Sequence, residues 1–331
     1  MRKIINAPER FADEVIEGIL LAHPERLRAV GDDLRVLARP AGRGRVGIVT
    51  GGGSGHLPLF LGYVGSGLCS AVAIGNVFSS PSAEQMLAAI QAADEGAGVL
   101  CLYGNYGGDI FNFDLACDLA DGIDTTTVLG IDDVLSAPAE RAETRRGVAG
   151  LLFTYKIAGA AAERGDDLAE VTRLADKAVR ATGSAGVGLS PTILPEAGTP
   201  TFTLDEGEME IGIGIHGEPG AHRGSLETAN EIADRLLAPI LTDLGLDTGD
   251  QVAVLINGLG GTPLEELYLL YRRVHGQLSE RGITVTRRLV GEYATSLEMA
   301  GASVSVLRLD DELLPLLDAP ASSPFVELGE R

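Results

Sequence analysis

Strand-like apolar runs alternate with helical patterns along almost the whole chain, and several of those runs empty directly into clusters of glycine. Alternation of this kind builds α/β architectures, in which helices cover a sheet and the loops at strand ends form the sites. The runs Arg45–Thr50, Ala71–Ile74, Val99–Tyr103 and Thr126–Leu129 read as strands, with a helix opening at Ser80-Pro81 and passing through Met86 and Ile90. A polar connection, Asp132 to Ala137, leads to helices over Arg146–Arg164 and Leu168–Thr182. Ser184–Pro200 is rich in Gly, Ser, Pro and Thr and reads as a passage between domains. Beyond it come strands over Glu208–His216, Val252–Asn257, Thr284–Val290 and Ser303–Leu309. Helices are expected from Ser225 to Leu244, stopped by Gly245, and from a capping box at Thr262–Glu265 to about Arg281, stopped by Gly282. A short helix near Ser296 and a frayed end complete the pattern. With 331 residues the chain has room for two α/β domains, each with a mixed sheet flanked by helices, divided as 1–183 and 184–331.

The formal net charge of −21 sets this surface against phosphate backbones and anionic lipid, so nucleic-acid and membrane-surface roles are disfavoured. Cys69, Cys101 and Cys117 are odd in number and lack CxxC spacing, and they read as reduced core residues of a cytoplasmic protein. The N-terminus turns polar and helical at once, so no signal peptide is expected. The apolar stretch Gly147–Ala162 contains Lys156 and three glycines, and reads as a buried helix rather than a membrane span.

Three glycine-dressed segments carry the chemistry. In Thr50–Pro58 (TGGGSGHLP) a strand runs out into glycines that let a ligand approach the main chain, with His56 at the tip to donate to an oxygen or shuttle a proton. The same residues also suit a tight turn with a surface histidine. It is not a phosphate-binding loop, because His56 stands where the lysine belongs. In Tyr103–Phe113 (YGNYGGDIFNF) Asp109 falls at the N-cap of an amphipathic helix. There it serves the helix amides, or accepts a proton from a substrate hydroxyl, or both. The helix dipole is expected to lower its pKa. In Glu208–Gly220 (EMEIGIGIHGEPG) strand alternation puts Met209, Ile211, Ile213 and Ile215 on one face, and Gly212, Gly214 and His216 on the other. The imidazole then stands over a cleared face beside which a ligand fits, with Glu218 near enough to orient it. A bulged strand with an incidental histidine is the plainer alternative.

The three lysines, Lys3, Lys156 and Lys177, lie at the terminus or within helical patterns, which leaves no evident Schiff-base former. A neutral imidazole can instead add to a ketone carbonyl and give a reversible carbinolamine. His56, His216 and Asp109 are a weak set for a metal, since no short-spaced ligand pair supports one. His23, His222 and His275 read as solvated.

Together the segments GGGSGH, NYxGDxxNF and GIGIHGEPG resemble the substrate-binding (K) subunit family of dihydroxyacetone kinases, and the likeness runs from Asn6 through Leu255–Tyr268 to Leu316–Pro320. The resemblance implies a two-domain α/β homodimer that holds dihydroxyacetone or a similar short ketose as a hemiaminal on His216. Gly53, Ser54, Gly55, His56 and Gly104 would line the ketose, and Asp109 would contact its terminal hydroxyl. It implies no cofactor on this chain, and ADP or ATP with Mg on a separate helical nucleotide-binding subunit. The chain ends where the family's ketose-binding region ends, so that unit is expected on a partner, with ATP or a phosphotransferase-system protein as phosphate donor. Three positions depart from the family pattern: Gly104 for Lys, Leu57 for Glu and Gly107 for Thr or Ser. The two glycines are expected to widen the pocket toward a ketotetrose such as erythrulose. A non-catalytic ketose-sensing coactivator shares the fold and is the other functional class to separate.

Overall fold

A computed structural model describes residues 3–329; Glu330 and Arg331, at the end expected to fray, lie outside the described residues. The first half contains α1 (Phe11–Ala22), β1 (Arg28–Val30), β2 (Asp33–Ala38), β3 (Gly47–Ser54), β4 (Ala71–Val77), α2 (Ala83–Ala93), β5 (Val99–Gly104), α3 (Gly107–Leu119) and β6 (Thr125–Gly130). Their sheet has the order β1-β2-β4-β3-β5-β6, with β4, β3, β5 and β6 mutually parallel and β1 and β2 antiparallel. Helices α4 (Leu151–Arg164) and α5 (Leu168–Arg180) follow. The second half adds β7 (Thr182–Ser190), β8 (Glu208–Ile211), β9 (His222–Ser225), α6 (Ala229–Leu244), β10 (Gln251–Gly258), α7 (Leu264–Glu280), β11 (Thr284–Gly291) and β12 (Ala300–Leu309). Its sheet runs β11-β10-β12-β7-β8-β9, and only β10 and β11 are parallel. The expected pair of mixed sheets flanked by helices is therefore present. Helix α8 (Leu313–Asp318) and the short pair β13 (Ala321–Ser322) and β14 (Glu327–Leu328) then return to the first half, where Leu313, Leu316, Ala321 and Val326 join its core.

Several sequence expectations shift, each for a non-local reason. The stretch Ser184–Pro200 is no passage: its first part lies in β7, an interior strand between β12 and β8. Its small residues fit a strand covered closely, for the Ile213 side chain stands 2.9 Å from where a Cβ on Gly188 would lie. The glycine run 51–53 is likewise inside β3 rather than beyond it, paired in register with Ala73, Ile74 and Gly75. The ring of Phe60 takes the Cβ space of Gly52. The helix expected from Ser80 starts instead after Ser82, which forms a capping box with Gln85. Helix α4 starts at Leu151 rather than Arg146, and the buried Asp132 carboxylate, reached across the fold, accepts the N–H groups of Val148 and Gly150 at 2.9 Å. The Asp132–Ala137 connection is thus polar but not solvated at its start. Thr262 does not cap α7; its hydroxyl exchanges hydrogen bonds with Gly301 at 2.7 Å. Around Ser296 there is a turn, not a helix, strapped to the first half by Leu297 N–H donating to Gly55 O at 2.9 Å.

Helix α4 is buried on every side from Leu151 to Ala162, as its composition implies, and no helix among the described residues is long and apolar enough to cross a membrane. Cys69, Cys101 and Cys117 are free thiols, and Cys117 is only half-buried. The one buried charge of α4 is Lys156, whose ammonium donates to Leu316 O at 2.6 Å and so ties α8 to the core. Burial drives its pKa from 10.5 down to about 8, with Asp318 opposing. A lysine lowered in the fold is penalised while charged, so its cost is fully present below about pH 8 and fades toward its unfolded pKa. Lys156→Met is accordingly expected to raise the thermal midpoint at neutral pH, by an amount equivalent to about 1–2 kcal/mol after the lost carbonyl bond is set against it. The gain should vanish near pH 10.5, and scanning calorimetry at both pH values checks it.

Candidate functional site

The site forms where the loop after β3, the start of α3 and the loop after β8 meet. Its first member, His56, is not at a surface tip but 1% exposed. Its Nδ1 lies 2.8 Å from Thr295 O. A carbonyl only accepts, so Nδ1 carries the proton and Nε2 presents a lone pair; that nitrogen is buried without a partner. The donor expected at His56 is therefore an acceptor. Burial, aided by the nearby His216, drives its pKa down to about 3, so the ring stays neutral at any working pH. Phe78 stacks on it with centroids 4.7 Å apart, and the edge of Phe60 meets it at 6.0 Å. Phe60, Phe78 and Leu297 all adopt positive φ, the only non-glycine residues among those described to do so, and all three border this ring or its loop. Bulky residues in the left-handed region are strained, and strain gathered at one place is a mark of a functional site.

His216 sits 4.8 Å from His56, centroid to centroid, with the rings at 78°. It does not ride on a strand. Strand β8 ends at Ile211 because Gly212 turns to φ +81°, and residues 212–217 form a loop. The expected apolar stripe divides accordingly: Met209 and Ile211 pack into the second core, whereas Ile215 reaches the first. Nor is the glycine at 214 a clearing for a ligand. A Cβ there would collide with the carboxylate of Glu218 and the guanidinium of Arg146. That carboxylate grips His216 twice, accepting its backbone N–H at 3.0 Å and its Nδ1–H at 2.8 Å. Burial opposes the charge of Glu218, but His216 and then Arg146 outweigh it and hold the carboxyl at about 2. With Nδ1 committed, Nε2 is left with its lone pair free to attack. Gly214→Ala is expected to expel the carboxylate and free the ring, with loss of the downfield Nδ1–H proton resonance of His216 as the readout.

Asp109 is the third residue of α3 rather than its N-cap, a place taken by Tyr106, and it bonds no helix amide through its side chain. It is 4% exposed, and Oδ1 has no partner. The expected lowering by the helix dipole is overturned: burial pushes its pKa from 3.8 up to about 6, against a hydrogen bond from Ser80 and the pull of His216. Two buried groups, His56 and Asp109, are thus each short of a partner, and the part-buried His216 is armed with a lone pair. A ligand bearing hydroxyl groups and an electrophilic carbon would complete all three.

The glycines behave unequally. Gly53 lets the Phe78 backbone close in, its Cβ position lying 2.8 Å from Phe78 Cα, and Gly55 has φ +98° beneath the Phe78 ring. Ser54 leaves a buried hydroxyl without a partner. Gly104 opens no space, because the ring of Tyr106 stands 2.9 Å from where its Cβ would be, and that ring meets His216 edge-on at 4.9 Å. Only Gly107 has nothing near it. A cavity of about 140 Å³ is lined by Gly53–Leu57 and by Phe11, Ala12, Val15 and Ile16 of α1, but neither His216 nor Asp109 borders it. Tyr106, Phe78, Ser80 and Thr295 were not singled out from sequence. Tyr106 lies within a segment that was, whereas Thr295 joins the site only through the fold. No cluster of three His, Cys, Asp or Glu groups among the described residues suits a metal ion, and His222 and His275 are exposed.

Comparison with known proteins places these features in a family. The Dak1 domain matches residues 17–325. The dihydroxyacetone-binding subunit DhaK of PTS-dependent dihydroxyacetone kinase 2 from Listeria innocua is 45% identical, covering 99% of this chain and 100% of that one. The L-erythrulose kinase of Pectobacterium atrosepticum is 44% identical over 99% of this chain, which spans 57% of that longer protein. Among solved structures, the dihydroxyacetone kinase operon co-activator Dha-DhaQ superposes with a TM-score of 0.89 at 33% identity, covering 96% of this chain and 98% of that one.

Proposed function

The chain belongs to the Dak1 domain family, and from that premise we propose that it is the ketose-binding subunit of a dihydroxyacetone-kinase-type phosphotransferase. The observation that carries the proposal is the hold on His216: its Nδ1–H is held by Glu218, which leaves Nε2 of the neutral ring with the lone pair, and the imidazole lies 4.8 Å, centroid to centroid, from His56, whose own Nε2 has no partner. Nε2 adds to the ketone carbon as the C=O π pair moves to oxygen; that oxygen takes a proton from solvent, and the Nδ1 proton returns to solvent through Glu218, which leaves a neutral hemiaminal. His56 Nε2 accepts a hydrogen bond from a ketose hydroxyl. The Asp109 carboxylate removes the proton of the terminal hydroxyl as that oxygen takes the phosphoryl group. Fixing a flexible polyol by one covalent bond makes the transfer a matter of position. Gly53, Ser54, Gly55 and Gly104 keep the walls close to the bound polyol. ATP with Mg²⁺ on a helical partner subunit, or ADP held there and rephosphorylated by a phosphotransferase-system protein, would supply the phosphoryl group and its charge neutralisation. A division into 1–183 and 184–331, a homodimer and a cytoplasmic setting belong to the same proposal; the sheets span Arg28–Gly130 and Thr182–Leu309, which supports two units, but that division falls within β7, and α8 with β13 and β14 joins the first half.

A second substrate, erythrulose, is favoured by the 44% identity to a protein named L-erythrulose kinase. Tyr106 fills the place beside Gly104, and Gly107 is exposed at the start of α3, so neither glycine by itself shows room for a fourth carbon. The co-activator class is opposed by Asp109, since a sensor has no use for a buried, partnerless base. The test is ¹³C NMR with ketose labelled at the carbonyl. Dihydroxyacetone and erythrulose should each lose the ketone signal and gain one for a tetrahedral carbon, with turnover by a matched nucleotide-binding subunit ranking the two. A ketone signal that persists at saturating protein would sink the proposal.

A further inference from the structure

The loop that carries His216 begins where β8 stops, so its own sheet does not fix it. What reaches it comes from the other half. Arg146 lies between β6 and α4, and its fork makes two hydrogen bonds and faces a third acceptor at ion-pair distance. Nε donates to Asp133 Oδ2 at 2.9 Å, Nη2 donates to Gly212 O at 2.8 Å, and Nη1 stands 4.0 Å from Glu218 Oε2. Asp133 is itself anchored, its N–H donating to Arg146 O at 3.0 Å. The missing side chain of Gly214 leaves the space in which the guanidinium and the Glu218 carboxylate approach. One cation therefore touches the exit of the first sheet, the hinge glycine of the His216 loop and the carboxylate that holds the imidazole.

We propose that Arg146 is a positioning residue for ketone addition, clamping the His216 loop across the junction and acting on the imidazole through Glu218. This rests on the functional reading above. The guanidinium is suited to the task because its planar donors reach three acceptors at fixed angles, which a single ammonium cannot. The charged and titratable groups around it are Asp133 and Asp132 on the β6 side, Glu218 and His216 on the loop, and then His56, Asp109 and the Tyr106 phenol facing His216. Burial pushes Asp133 up to about 6, and Arg146 is the largest influence working against that rise, so the two ends of the clamp depend on each other. Arg146 touches no reacting atom. Its effect on the reaction is the direction in which Nε2 points.

The test is a double-mutant cycle on ketose affinity, read from the tetrahedral-carbon signal, with thermal midpoints measured alongside. Arg146→Gln is expected to weaken hemiaminal formation about tenfold or more, the scale of one charge-assisted hydrogen bond. Arg146→Lys should recover part of the loss and keeps the test usable if the glutamine variant folds poorly. In a Glu218→Gln background, adding Arg146→Gln should cost several-fold less affinity than it does in the wild type, because only the hold on Gly212 O is then left to lose. An equal loss in both backgrounds, or an Arg146→Gln affinity within about twofold of wild type, overturns the proposal while leaving the function intact. Absence of the adduct in the wild-type protein overturns both.

Discussion

Replacing His216 with alanine is expected to remove the hemiaminal signal entirely and to lower phosphorylation by a matched partner subunit by ~10³-fold or more, the scale on which covalent positioning acts. Among the described residues no other nucleophile stands in reserve at the site. The amine route is closed, since Lys156 is enclosed in α4 with its ammonium on Leu316 O, Lys177 pairs with Asp310 and Glu312, and Lys3 pairs with Glu298. His56 is near enough to be considered, but its ring is packed between Phe78 and Phe60 with Nδ1 fixed on Thr295 O. It can receive a hydrogen bond where it is; it cannot swing to a carbonyl carbon without dismantling strained backbone at both phenylalanines. The alanine variant should keep its thermal midpoint within a few degrees, because His216 is partly exposed and its loop is held by Arg146 through Gly212 O. Loss of the adduct with an intact fold is the expected combination. A surviving adduct in this variant would mean that another atom forms the bond.

Much of the site was legible in the sequence because its three segments are local motifs. A histidine after a glycine strand, an aspartate at a helix start and GIGIHGEP each announce themselves within about ten residues. What sequence could not give is the set of partners brought from elsewhere. Period-two alternation through residues 208–216 reads as one strand, yet Gly212 ends it and the next two isoleucines are buried by loop packing instead. Gly214 reads as space for a ligand, and only the fold shows Glu218 and Arg146 converging there. The tautomer of His56 depends on Thr295, 239 residues away. The start of α4 depends on a carboxylate 16 to 18 residues upstream. The small residues of β7 were taken for a passage because composition cannot distinguish an exposed linker from a strand packed tightly on both faces. In each case local pattern gave the residue and tertiary contact decided its role.

The buried carboxylate brings catalysis and stability into opposition, and Asp109→Asn measures both. As the base, Asp109 must be ionised, so the rate of phosphoryl transfer should rise with pH through about 6 and level above it. Asparagine cannot take the proton, and the rate at neutral pH should fall by roughly 10²–10⁴-fold, while the hemiaminal on His216 still forms. Stability moves the other way. In the folded chain burial raises this carboxyl from 3.8 to about 6, so between those values the folded state binds the proton more tightly than the unfolded one. Stability therefore falls as pH climbs through that window, and above about 6 the full cost of a buried charge is present, roughly 3 kcal/mol at most for a shift of that size. Asparagine escapes the cost but weakens the link to Ser80, leaving a net gain of about 1–3 kcal/mol near pH 8 and little gain at or below pH 3.8, where aspartate is neutral in both states. Calorimetric midpoints at the two pH values, read beside initial rates, decide it. A variant that loses activity without gaining stability at the higher pH would mean that burial does not raise the Asp109 pKa; one that keeps its activity would mean that the base lies elsewhere.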